Sequence, residues 1–198
     1  MRPGKRALDV TAAIAGLLVL APVFAAIAIA IKLQSHGPFF FRQERVGRAG
    51  ARFRIWKFRT MVADAERQGG AITIGKDPRI TSVGTALRRF KLDELPQLLN
   101  VLRGEMTLVG PRPEVAHYVQ LYSEAQRAVL ELVPGITDPA SIEYRDEAAV
   151  LATYPDPEQA YVEEIMPRKI RINLEYAARA TAGSDVALIL RTVVHLGR

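Results

Sequence analysis

From residue 10 to residue 31 no charged side chain occurs, and as a helix rising about 1.5 Å per residue this run matches the thickness of a bilayer's hydrocarbon core. Pro22 falls in its middle, where a proline removes one helical hydrogen bond, so the pattern predicts two half-helices, 10–21 and 23–33, each about 18 Å long. After Gly37-Pro38 the rhythm changes. Phe39-Phe40-Phe41 reads as an interfacial cluster, and residues 53–59 alternate imperfectly between β-formers and cations, which predicts a short strand. Leu95, Leu98, Leu99 and Leu102 follow helical spacing, with Pro96 suited to a first turn and Gly104 to a stop. That helix is expected to begin at or near Asp93. Residues 106–109 predict a short strand, broken by the rigid turn Gly110-Pro111-Arg112-Pro113.

Further on, Val115, Tyr118, Val119, Tyr122, Val129 and Leu132 predict one helix over 113–132, stopped by Pro134-Gly135. Residues 139–161 read as loop, with Tyr154 and Tyr161 as packing groups. Ser184 can cap a last helix with a strongly apolar face. The expected class is α+β: a mostly helical domain with short strands over residues 37–198, on an N-terminal membrane anchor over residues 1–36.

Charge decides how the anchor sits. Arg2, Lys5 and Arg6 precede the apolar run, and Lys32, Arg42, Arg45 and Arg48 follow it, so the positive-inside rule places both flanks in the cytoplasm. A basic start and alanine pairs such as Ala26-Ile27-Ala28 also fit a signal peptide, but the run is long for one. A re-entrant helix that enters, breaks at Pro22 and returns satisfies both the proline and the charges.

Composition narrows the partners. With 49% hydrophobic and 24% charged residues the chain is neither disordered nor fibrous, and the absence of cysteine excludes disulfides and thiolate metal sites. A formal net charge of +6 predicts anionic partners: nucleic acid, membrane surface or phosphorylated substrate. The basic, aromatic stretch over 39–59 carries no helix-turn-helix, RNP or zinc pattern, so headgroups or phosphorylated substrates are expected and nucleic acid is not. His36, His117 and His195 show no metal-ligand spacing.

Candidate chemistry centres on Asp93 and Glu94, adjacent carboxylates that follow Arg88, Arg89 and Lys91. Two readings stand side by side. Asp93 can simply cap a helix while Glu94 favours its dipole, or the pair can work among cations that attract phosphate. Arg112, held between Pro111 and Pro113, is the arginine best restricted for bidentate phosphate contact. Without chemistry, the same features describe a membrane-anchored basic scaffold for anionic lipid or nucleic acid.

The motifs Lys5-Arg6-Ala7-Leu8-Asp9, Gly37-Pro38-Phe39-Phe40-Phe41-Arg42-Gln43, Lys57-Phe58-Arg59-Thr60-Met61, Asp77-Pro78-Arg79-Ile80-Thr81, Leu92-Asp93-Glu94-Leu95-Pro96-Gln97-Leu98 and Val109-Gly110-Pro111-Arg112-Pro113 occur in this order. Together they make the chain resemble the monotopic phosphoglycosyl transferases, bacterial sugar transferases of the inner membrane. The resemblance implies a cytoplasm-facing domain on a re-entrant helix, a UDP-sugar donor, a polyprenyl phosphate acceptor, Mg²⁺ and a covalent aspartyl-phosphosugar intermediate. It implies Asp93 as nucleophile, Glu94 as its partner at the metal, Lys57, Arg59, Arg88 and Arg112 as phosphate contacts, and Pro22 as the helix break. It leaves room for a homodimer. Two departures stand out: Ala21 precedes Pro22 where the family often has serine, and residues 138–145 replace a glycine- and tryptophan-containing loop, so no contact is assigned there.

Overall fold

The computed structural model describes residues 3–65 and 77–196. Most of the polar stretch 63–76, with its Gly69-Gly70 pair, lies outside them.

Helix α1 (Pro3–Gln34) is one element of 32 residues that runs through Pro22, where the sequence predicts two halves. One missing amide donor does not end a helix whose turns on both sides are packed. Asp9, Ala13, Leu17, Leu20, Phe24, Ile27 and Ile31 recur every three or four residues and face inward along its length. Leu18, Val19 and Leu33, at 72%, 74% and 84% exposure, mark the outer face.

Strand β1 (Phe40–Val46) pairs antiparallel with β2 (Arg52–Phe58), with Phe41 opposite Lys57. The sequence places β2 one residue late and misses β1, because Phe39, Phe40 and Phe41 read as an interfacial cluster. Phe40 in fact packs edge-on to Trp56 and stacks on Phe58. Helix α2 (Ser82–Arg89) starts on a Thr81 cap that accepts from the Gly84 amide at 3.0 Å.

The helix expected to start at Asp93 is divided. Lys91 adopts a left-handed conformation (φ 53°), a tight 3-10 turn follows over Leu92–Gln97, and α3 occupies only Leu98–Arg103 before Gly104 (φ 80°) ends it. Asp93 therefore lies inside the turn and is not its cap.

Strand β3 (Thr107–Val109) pairs parallel with β4 (Gly135–Thr137), an element the sequence does not reveal. A side chain at Gly135 would collide with the backbone of Gly110, so this contact fixes the base of the Arg112 turn.

The single helix expected over 113–132 is three short pieces: α4 (Ala116–Gln120), α5 (Glu124–Arg127) and a 3-10 turn (Ala128–Glu131). Ser123 and Gln126 form a reciprocal capping box that restarts the helix after α4. The apolar positions still converge, with Tyr118, Val119, Tyr122 and Val129 buried in one cluster.

Residues 139–161 hold α6 (Pro139–Glu143), α7 (Glu147–Leu151) and α8 (Pro157–Ala160). Asp138 and Asp156 cap the first and third, each just before a proline that suits a first turn. A π-turn (Tyr161–Ile165) leads into α9 (Met166–Arg179), a helix not among the elements expected from the sequence. The last helix, α10 (Ala182–Leu196), is capped by Thr181, which accepts from the Ser184 amide at 3.1 Å, and not by Ser184 itself. Its outer face carries exposed Val186, Leu190, Val193 and Val194. The expected mostly helical architecture with short strands is the one observed.

Candidate active site

Three other elements converge on the turn that carries the acidic pair. Lys57 comes from β2, Asp93 and Glu94 from the 3-10 turn, Arg112 from the turn after β3, and Arg88 from α2. Asn100 brings β2 against the turn. Its wholly buried side chain accepts from the Trp56 amide at 3.0 Å and donates to the Arg54 carbonyl at 2.9 Å, as a neighbouring strand would. Glu105 Oε2 accepts its remaining proton at 2.7 Å. An asparagine inside the apolar run Leu98-Leu99-Asn100-Val101-Leu102 is the signal that could have found it.

Glu94 is clasped. Lys57 Nζ donates to its Oε1 at 2.9 Å, and Arg112 engages both carboxylate oxygens, reaching Oε2 at 2.9 Å. Burial works to raise the Glu94 pKa, but the Arg112 guanidinium and the Lys57 ammonium together hold it well below the usual carboxylate range. Arg112 is raised in return by Glu94. Burial lowers Lys57 against the pull of Glu94.

Asp93 is the opposite case. It is 6% exposed, and its Oδ1 is a buried oxygen with no hydrogen-bond partner among the described residues. Burial first and the Glu94 charge second raise its pKa, against Lys57 and Arg88. Lys91 occupies the cap position, so the capping role does not compete for Asp93.

Arg88 donates from Nε to Thr60 Oγ1 at 2.9 Å; burial lowers its pKa, against the pull of Asp93. Arg59 is placed elsewhere. Its guanidinium donates to the His36 carbonyl at 2.6 Å and to the Ser35 carbonyl and hydroxyl at 2.9 and 2.8 Å, closing the C-terminal end of α1. Arg79 in the Asp77-Pro78-Arg79 motif is likewise bound to Asp77, through Nε at 2.9 Å and Nη2 at 2.6 Å.

Asp9 is a second residue whose part was not legible. Wholly buried near the start of α1, it accepts from Thr107 Oγ1 at 2.6 Å and from the Leu108 amide at 3.2 Å, which ties α1 to the strand feeding the Arg112 turn.

Among the described residues no three His, Cys, Asp or Glu side chains gather to hold a metal. Magnesium commonly takes one or two protein carboxylates and completes its shell with water and substrate phosphates. The unpartnered Asp93 oxygen beside Glu94 fits that mode, in which a diphosphate supplies the missing ligands.

A family model for bacterial sugar transferases matches residues 1–198. The chain belongs to the bacterial sugar transferase family. Among its relatives, a UDP-glucose:undecaprenyl-phosphate glucose-1-phosphate transferase of Escherichia coli K12 is 39% identical over 193 residues, 96% of this chain and 39% of that protein. A putative undecaprenyl-phosphate N-acetylgalactosaminyl 1-phosphate transferase of Bacillus subtilis is 40% identical over 133 residues, covering 67% of this chain and 70% of the relative. The exopolysaccharide production protein ExoY of Rhizobium meliloti is 39% identical over 204 residues, 96% of this chain and 83% of its own length. The chain thus spans under half of the E. coli sugar transferase and most of ExoY.

Proposed function

We propose that this sugar transferase moves a phosphosugar from a UDP-sugar to undecaprenyl phosphate, releasing UMP, through a covalent phosphosugar on Asp93. The observation that carries the reading is the contrast within the acidic pair: a clasped Glu94 beside an Asp93 whose buried oxygen has no partner. A carboxylate buried among cations with nothing to bond is arranged for a ligand and not for stability.

In the first step an Asp93 oxygen forms a bond to the sugar-bearing phosphorus, and the bond from that phosphorus to the bridging oxygen breaks, with UMP taking the electron pair. In the second, a phosphate oxygen of the lipid attacks the same phosphorus and the Asp93 carboxylate leaves. The attack on an anionic diphosphate needs its charge neutralised and its geometry held. Arg112 and Lys57 present their positive charge beside Glu94, and Arg88 adds a charge that favours the ionised form of Asp93. Mg²⁺, held by Asp93 with Glu94 alongside, would supply further neutralisation of phosphate charge.

The anchor is read as monotopic, with both ends on the cytoplasmic side. At one end Lys5 pairs with Asp185 at 2.5 Å, and Arg6 donates to the Val101 and Leu102 carbonyls at 2.5 and 2.9 Å. At the other, Gln34 bonds Ser82 and accepts from the Val83 amide at 3.1 Å, while Arg59 holds Ser35 and His36. A spanning helix of 32 residues, about 48 Å long, would carry one of these ends to the far side of the bilayer. The outer faces of α1 and α10 supply apolar surface for one leaflet.

Mixing the purified protein with a UDP-sugar, Mg²⁺ and undecaprenyl phosphate tests the reading. UMP release that Asp93→Asn abolishes is the expected result. Full turnover in Asp93→Asn would remove Asp93 as nucleophile. Salt-sensitive lipid binding with no UMP released from any donor would favour the basic scaffold.

A further inference from the structure

A cavity borders the Arg112 turn. Its walls include Arg112, Glu114, Tyr122, Tyr161, Lys169 and Asn173. Its volume is about 50 Å³, room for several waters.

The charges in this cavity are already matched. Glu114 accepts from Tyr161 and from Arg45 Nη1 at 3.2 Å, Lys169 pairs with Glu147, and Arg112 holds Glu94. The neutral polar groups are not. Asn173 and Tyr122 are 6% and 8% exposed, and among the described residues neither the amide nor the phenol has a hydrogen-bond partner. Two unpartnered neutral groups on little-exposed residues of one cavity wall suit a ligand with neutral hydrogen-bonding substituents.

Of the two ends of a UDP-sugar, the sugar is the one joined directly to the phosphorus that Asp93 attacks, and Arg112 is common to the acidic pair and the cavity wall. Resting on the proposed transfer reaction, we infer that this cavity is a specificity pocket that recognises ring substituents of the donor's sugar, a neutral hexose or N-acetylhexosamine, through Asn173 and Tyr122. A site built to hydrogen-bond a substituent rejects the analogue that lacks it far more strongly than an apolar pocket does.

The test measures kcat/KM for UDP-glucose, UDP-galactose and their N-acetylhexosamine counterparts, with inhibition by UMP, in the full chain and in Asn173→Ala and Tyr122→Phe. The expected result is a fall of tenfold or more for the best donor, an altered ranking of donors, and UMP inhibition within twofold of the parent. An equal fall for all donors, an equal weakening of UMP, or no change in either variant overturns the inference. Should Asn173→Ala fail to fold, Tyr122→Phe removes a single oxygen and carries the same test. Donor binding by calorimetry in the Asp93→Asn background reads the pocket without turnover. A donor ranking there that Tyr122→Phe abolishes supports the pocket even if the parent releases no UMP, and a ranking it leaves intact overturns it.

Discussion

Asp93 and Glu94 are neighbours in the chain and opposites in their surroundings: Glu94 is engaged by Arg112 and Lys57, whereas the buried Oδ1 of Asp93 has no partner. Burial and the Glu94 charge raise the Asp93 pKa, and the two cations hold that of Glu94 down. One turn thus contains a stabilised carboxylate and a destabilised one.

Replacing Asp93 by asparagine should separate function from stability. Turnover falls by at least about a thousandfold, as expected when a nucleophile is removed. The melting temperature rises near pH 7. A carboxyl whose folded pKa is raised contributes stability below its unfolded pKa and loses it as the pH climbs through the folded value. The advantage of Asp93→Asn therefore shrinks as the pH falls toward the ordinary carboxylate range. Scanning calorimetry from pH 4 to pH 8 reads this.

Turnover should fail on the acid side earlier than an ordinary aspartate would dictate. Asp93 attacks only when ionised, and its pKa lies above the usual range. A profile of single-turnover UMP release against pH should show an acid limb displaced upward, and a limb at the ordinary aspartate value contradicts the assignment.

Glu94→Gln leaves Lys57 and Arg112 without their common carboxylate. Breaking a buried ion pair from one side costs about 3–5 kcal/mol, so a lowered denaturant midpoint is expected along with the loss of turnover. Its depressed pKa means that Glu94 contributes stability above its unfolded value, and this is lost as the pH drops through the folded one.

Arg59 and Arg112 should behave differently despite similar positions in their motifs. Arg112→Ala raises donor KM or lowers kcat by roughly a hundredfold, an effect typical of losing one preorganised charge at a phosphoryl site. Arg59→Ala lowers the melting temperature, since three hydrogen bonds at the end of α1 are lost, and leaves donor KM within twofold. Steady-state kinetics beside thermal melts distinguish the two.

Because the natural chain has no cysteine, single cysteines at positions 3 and 45 report topology cleanly. Both should react with a membrane-impermeant maleimide only from the cytoplasmic side. Labelling from opposite sides means a spanning helix.

What was legible in the sequence was what local pattern encodes. The long apolar run, β2, β3, the stop at Gly104 and the inward face shared by Tyr118, Val119, Tyr122 and Val129 follow from spacing and turn chemistry. Misread elements depended on partners distant in the chain. The phenylalanines of β1 become a strand because β2 pairs with them, and β4 exists because Gly135 lies against Gly110. In the site, the convergence of Lys57, Asp93, Glu94 and Arg112 was anticipated, and the diversion of Arg59 to the end of α1 was not. Asn100 and Asp9 escaped notice for a common reason: a polar residue in an apolar run names no partner until the chain is folded.

The most direct test of covalent transfer is intact-protein and peptide mass spectrometry after incubation with a UDP-sugar and Mg²⁺ in the absence of lipid acceptor. Covalent transfer through Asp93 predicts stoichiometric UMP and a phosphosugar adduct on the peptide that carries Asp93, discharged on addition of undecaprenyl phosphate and absent from Asp93→Asn. UMP release that waits for the acceptor, with no adduct at any time, would mean direct transfer and contradict it.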